Sequence, residues 1–105
     1  MKQPNKSISS TIIIKSPLIK FYDKGFIEYY DDHINLVLLN VGNIILNLEI
    51  YKDRICKSTF ECLDSKQFNE KYFDKSYKKD FLYTLFRQKN IYFKDTTNGI
   101  LIKVK

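Results

Sequence analysis

"HINLVLLNVGNIILNLEIY", residues 33–51, holds two long apolar runs separated by a glycine–asparagine pair, and its reading decides the fold. In the first run Ile34, Leu36 and Leu38 alternate with Val37, Leu39 and Val41, so both faces are apolar. A strand of that kind is expected to be central in its sheet and covered on both sides. Turn chemistry at Gly42-Asn43 favours a two-residue loop, which sets Leu39 opposite Leu46. Side-chain pairing favours one more residue in the loop, because Ile34, Leu36 and Leu38 then face Ile50, Leu48 and Leu46. Both registers stay open, and either makes an antiparallel hairpin.

Working outward, "TIIIKS" (11–16) is β-branched, and after Ser16-Pro17 come "LIKFY" (18–22) and "FIEYY" (26–30), separated by Asp23-Lys24-Gly25. That separator reads as a hairpin turn, with Ile19 and Phe21 on one face. Residues 1–10, "MKQPNKSISS", have no apolar period and read as a flexible tether. Downstream, Asp64 is a good helix N-cap, with Gln67 placed for a capping box and Leu63 and Phe68 for a hydrophobic staple. Phe68 and Tyr72 would form the buried stripe of that helix. Asp80 can cap "FLYTLFRQ", whose Phe81, Leu82, Leu85 and Phe86 share a face. The chain closes with "IYF" and "ILIKV" around Asn98-Gly99, a second hairpin with Ile100, Ile102 and Val104 on one side. The expected fold is α+β: one domain over residues 11–105, with a curved antiparallel sheet of about six strands and two helices after Cys62 packed on its concave face.

The 105 residues allow one hydrophobic core, and 44% hydrophobic with 15% aromatic content excludes general disorder. The formal charge of +6 is uneven: residues 1–24 carry +4, residues 25–53 carry −4 and residues 54–105 carry +6. The basic residues are lysines apart from Arg54 and Arg87, which argues against bidentate phosphate or base recognition. No window reaches the roughly 18 apolar residues a spanning helix needs. Neither does a secretory apolar segment appear, the longest early apolar run being Ile12–Ile14.

The two cysteines, Cys56 and Cys62, flank "KSTFE". Their spacing does not fit a C-x-x-C redox motif, and two thiols without a further His/Cys pair do not close a zinc site. Two readings remain, a pair of buried thiols or a disulfide across the corner where strand gives way to helix; the disulfide is the expectation, and it implies an oxidising compartment. His33, beside Asp31 and Asp32, reads as part of a polar turn, since one histidine with adjacent aspartates makes no triad. No catalytic residue, metal ligand or cofactor site is expected. Eight tyrosines, eight phenylalanines and a basic balance leave one alternative, a cytoplasmic RNA or single-stranded DNA binding module. The aromatics fall mostly at core-facing periods, which counts against it.

"NVGNIILNLEIYKDRICKSTFECLDSKQFNEKYF" (40–73), followed by "DFLYTLFRQKNIYF" (80–93), resembles small outer-membrane lipoproteins of Gram-negative bacteria. The shared features are a strand hairpin, "IC" and "EC" around a short loop, "FN" in the first helix and "FLYTLF" in the second. The resemblance spans about residues 18–104. It implies a location on the periplasmic side of the outer membrane and a lipid anchor on a cysteine at the position of Met1. The strand-then-helix order is similar to LolB-like lipoprotein receptors, in which a sheet holds acyl chains against helices. This chain is shorter than that fold, and no LolB functional residue maps onto it position by position. The resulting expectation is a non-enzymatic envelope protein that binds a lipid, a lipoprotein acyl chain or a partner protein. Its candidate groove is lined by Leu36, Leu38, Leu46, Leu48, Phe81 and Leu85.

Overall fold

The computed structural model of the protein describes residues 3–41, 43–57 and 61–105. Its chain begins with two strands of equal length, β1 (Lys6–Lys15) and β2 (Lys20–Tyr29), paired residue for residue from Lys6↔Tyr29 to Lys15↔Lys20. The meander continues through β3 (Ile34–Asn40), β4 (Asn43–Ile50), β5 (Arg54–Lys57) and β6 (Glu61–Asp64). Two helices follow, α1 (Ser65–Tyr72) and α2 (Phe81–Phe86), then β7 (Tyr92–Asp95) and β8 (Ile100–Val104). The last strand returns to the free side of β1, so the sheet order is β6-β5-β4-β3-β2-β1-β8-β7, every neighbour antiparallel.

The period of two along each strand sorts side chains onto two faces. On the inner face Ile12, Ile14, Ile27, Ile34, Leu36, Leu38, Ile50 and Ile102 are buried, and the helices add Phe68, Leu82, Leu85 and Phe86 to the same cluster. Each such side chain contributes roughly 1.5–3 kcal/mol by leaving water. Asp64 caps α1 by accepting from the Lys66 N–H at 2.8 Å. Phe68 and Tyr72 meet with ring centroids 4.6 Å apart. The amide of Asn69 donates to the Lys78 carbonyl at 2.8 Å, tying α1 to the link before α2. Asp80 precedes α2, but its side chain makes no capping bond.

The expectation of about six strands under two packed helices is overturned. Among the described residues one antiparallel sheet of eight strands dominates, and helix is confined to eight residues in α1 and six in α2. Three local readings change with it. Asp23-Lys24-Gly25 is no turn: β2 runs straight through it, and the hairpin closes instead at Ser16–Ile19, where the Ser16 N–H donates to the Ile19 carbonyl at 2.7 Å. β1 starts at Lys6, inside the stretch expected as a tether, because Lys6–Ser10 pair with Gly25–Tyr29. Cys56 and Cys62 sit on a hairpin of two four-residue strands, where they face each other directly.

The central hairpin follows the register that side-chain pairing favours, and Leu39 does not meet Leu46. Ile34↔Ile50, Leu36↔Leu48 and Leu38↔Leu46 pair as side-chain matching requires; a bulge between Leu38 and Leu39 then shifts the ladder to Leu39↔Ile44 and Asn40↔Asn43. Asn43 therefore belongs to β4, and Gly42 lies outside the described residues. β3 is central but covered by helices on one side only. On its outer face Val37 lies between Phe26 and Asn47, and Phe26 is exposed.

Gly25 is needed for closeness between strands. A Cβ built there would lie 2.5 Å from Ile12 Cδ1 and 2.6 Å from the Val37 carbonyl oxygen, and the second contact is backbone, which cannot turn aside. Gly25→Ala is expected to lower the unfolding free energy by about 1–3 kcal/mol, read as a lower urea midpoint with an unchanged slope.

Candidate functional site

The six residues expected to line a groove separate into two sets. Leu36, Leu38, Leu46 and Leu48 border an internal space of about 10 Å³ that Phe68, Phe73, Leu82 and Phe86 close from the helical side. That is room for about one water molecule at most. The four leucines are core, with Leu36 and Leu38 each 1% exposed, and there is no room for an acyl chain among them. Phe81 and Leu85 border a separate depression of about 540 Å³ with Tyr77 and Phe93. Its aromatic rings close on one another, Phe81 and Phe93 edge to face at 4.8 Å and Tyr77 and Phe81 at 4.6 Å.

Cys56 and Cys62 form a disulfide, the Cα atoms 3.9 Å apart across the β5–β6 hairpin. Cys56 pairs with Glu49 of β4, so the bond lies on the outer face, away from the core formed by Ile50, Ile55 and Leu63. His33 sits in the β2–β3 turn. Its ring is stacked between Tyr30 and Tyr51 at 4.5 and 4.8 Å, and Nδ1 lies 2.7 Å from the Asp32 carboxylate. Arg87 reaches the same turn, donating to the Tyr30 carbonyl at 2.5 Å while its guanidinium lies 4.5 Å from the Tyr83 ring centre. Among the described residues no group of three or more His, Cys, Asp or Glu side chains could hold a metal ion.

Two surface features were not anticipated. The first follows from strand direction. β1, β3, β5 and β7 run one way and β2, β4, β6 and β8 the other, so the turns after Lys15, Asn40 and Asp95 share one end of the sheet. At that end Leu18, Val41, Ile44 and Ile45 are 64%, 88%, 65% and 52% exposed. Val41 also has φ +50°, a left-handed conformation that costs a β-branched residue strain and that asparagine or glycine adopts readily. Lys15 and Lys20 flank the first turn, and Lys57 and Lys94 lie near the same end. The carboxylates of the acidic middle segment gather elsewhere: Asp31, Asp32 and Asp53 lie in turns at the opposite end.

The second feature is a cleft of about 870 Å³ between the first half of β1 and the segments 87–92 and 103–105. Its lining includes Lys6, Arg87, Lys89, Lys103 and Lys105 and no aspartate or glutamate. Tyr29, also in the lining, donates its hydroxyl proton to the Phe86 carbonyl at 2.7 Å, and burial pushes its ionisation up. On the outer face nearby, Lys105 Nζ donates to the Tyr22 hydroxyl at 3.0 Å and holds that phenol below its ordinary range. No protein-family model matches the chain, and neither a curated protein nor a solved structure shows significant similarity to it.

Two measurements follow from these contacts. Replacing both cysteines by serine is expected to remove about 2 kcal/mol of stability, the chain-entropy value for a closed loop of roughly seven residues, and treatment with a reductant should lower the melting temperature of the natural chain but not of the variant. The second concerns Asp95, which accepts from the Tyr77 hydroxyl at 2.5 Å and from the Asn98 amide at 2.7 Å. Those bonds, Tyr77's first, hold its carboxyl below the usual range. A depressed carboxylate stabilises the fold above about pH 4, and that contribution disappears as pH falls through the lower folded value. Asp95→Asn should therefore flatten the loss of thermal stability as the pH falls below about 4.

Proposed function

We propose that the protein is a non-enzymatic protein of the cell envelope that meets lipid through the apolar loop tips at one end of its sheet. The observation that carries this reading is Val41: the most exposed large apolar side chain of the described residues stands at a position whose backbone favours asparagine or glycine. Strain retained at an exposed apolar tip is the signature of a contact made with something else. Leu18, Ile44 and Ile45 are exposed at the same end, and Lys15 and Lys20 there suit an anionic lipid surface, each worth about 1 kcal/mol near such a surface, while Lys57 stands across from Glu61 and Lys94 beside Asp95. The disulfide supports the envelope assignment, since such bonds persist in oxidising compartments. With the interior filled, the reading places lipid contact on the outside of the molecule, and the resemblance to envelope lipoproteins agrees with it in compartment and partner class.

Flotation with vesicles containing phosphatidylglycerol tests the proposal. The natural chain is expected to float with the vesicles. Val41→Asn is expected to leave folding stability unchanged or raised, because asparagine tolerates the left-handed conformation, while reducing the floated fraction at least threefold; Ile44→Ser should act in the same direction. A natural chain that stays at the bottom of the gradient yet is held by a single-stranded oligonucleotide column in a salt-sensitive way would overturn the lipid reading in favour of a basic nucleic-acid module.

A further inference from the structure

The pairing of β8 with β1 and β7 sorts one more set of side chains, on the outer face of the sheet. Residues directly opposed on neighbouring strands share a face, so Tyr92, Lys103, Ile13 and Tyr22 form one row across β7, β8, β1 and β2. Lys94, Leu101, Lys15 and Lys20 form the next row, beside the turns after Lys15 and Asp95. Lys24 follows Tyr22 two residues along β2, on the same face. Tyr22 and Tyr92 are 66% and 53% exposed, and the Lys103 ammonium lies 5.9 Å from the Tyr92 ring centre. The carboxylates next to these residues in sequence face the other way. Asp23 is opposed to Ile12 and Asp95 to Ile100 on the inner face, where Asp95 accepts from Tyr77 and Asn98. Glu28 shares the outer face but stands about 20 Å from Tyr22 along β2.

We infer that these two rows are a headgroup-binding surface, which the protein lays against an anionic bilayer when its tips make contact. The inference rests on the lipid reading above and adds the face that meets the bilayer. The rows are continuous with the tips: Leu18 occupies the turn between Lys15 and Lys20, so one hairpin carries both the exposed apolar residue and its flanking cations. Tyrosine suits that depth, because its ring can lie at the acyl boundary while its hydroxyl stays among the headgroups. The lysine stems cover Ile13 and Leu101 and hold the ammonium groups out toward phosphates. Spacing argues against a nucleic-acid strand on the same face. Tyr22 and Tyr92 are three strand spacings apart, about 14 Å, whereas stacked bases follow one another at about 3.4 Å. Every cation in the rows is a lysine, while planar recognition of phosphates and base edges favours arginine.

The chain has no tryptophan, so Tyr92→Trp places a single fluorescent reporter in the proposed surface and Tyr83→Trp, on α2, provides a control. Vesicles of phosphatidylglycerol and phosphatidylcholine should shift the emission of Tyr92→Trp to shorter wavelength and expose it to quenching by lipids with brominated acyl chains; the emission of Tyr83→Trp should stay as it is in solution. Lys94→Glu with Lys103→Glu should lower the vesicle partition coefficient at least about tenfold. Lys75→Glu with Lys79→Glu, an equal charge change between α1 and α2, should lower it less than about threefold. A natural chain that floats while the emission of Tyr92→Trp does not move would overturn the inference and leave the tips as the contact. Equal losses from the two lysine pairs would also overturn it, reducing the effect to net charge. So would release of the protein by soluble glycerol phosphate at the concentration of the vesicle lipid, which would make the ligand a free phosphate ester, or displacement from vesicles by a single-stranded oligonucleotide. A natural chain that fails to float overturns this inference and the lipid reading together, whereas undiminished flotation of Val41→Asn with a shifted Tyr92→Trp removes the tips alone and supports the rows.

Discussion

The double pairing of β1 holds this fold together. Six strands formed in chain order would leave β1 as a bare edge, and the C-terminal hairpin would have nothing to join. Pairing Ile12–Lys15 with Leu101–Val104 brings the two ends of the domain into one sheet. It also completes the core, because Ile12 and Ile14 on one strand and Ile102 on the other become inner-face neighbours with 4% exposure or less. The cost of closing such a long loop grows only slowly with its length, and the apolar contacts made at the seam offset it.

Both unanticipated surfaces are by-products of that seam and of the ladder beside it. β8 stops pairing at Ile12, and the length by which β1 outruns it becomes the wall of the cationic cleft. On the other side of β1, pairing of β2 with β3 begins only at Gly25↔Leu38, so the first hairpin extends beyond its neighbour and carries Leu18 out into solvent. The helices play a smaller part than their apolar stripes suggested. They close the inner face and fill it.

Sequence reasoning read correctly those elements whose signals are local. Asp64 caps its helix because the capping bond spans two residues, and the central antiparallel hairpin emerges from an alternation confined to seventeen positions, although its register stayed open between two pairings until the structure showed the leucine pairs. It failed where a local pattern had a distant cause. Asp23-Lys24-Gly25 has the composition of a turn, yet the glycine is there because Ile12 and Val37 crowd it from two neighbouring strands. The β5 and β6 strands are too short for an alternating pattern, each offering one inner apolar residue, Ile55 and Leu63. Lys6–Ser10 are polar enough to read as tether, and only the match with Gly25–Tyr29 makes them strand. The surfaces were less legible still. The cleft draws on residues from both ends of the chain, and the exposure of Ile44 and Ile45 follows a bulge that breaks the alternation on which the reading relied.

Chain direction gives the molecule a polarity. β1 enters at the end opposite the apolar tips, and the molecule is 39 Å along its longest axis. The first residues of β1 and the exposed side chain of Val41 therefore stand at opposite poles, so that a contact made at the tips leaves the chain's entry into the sheet uncovered.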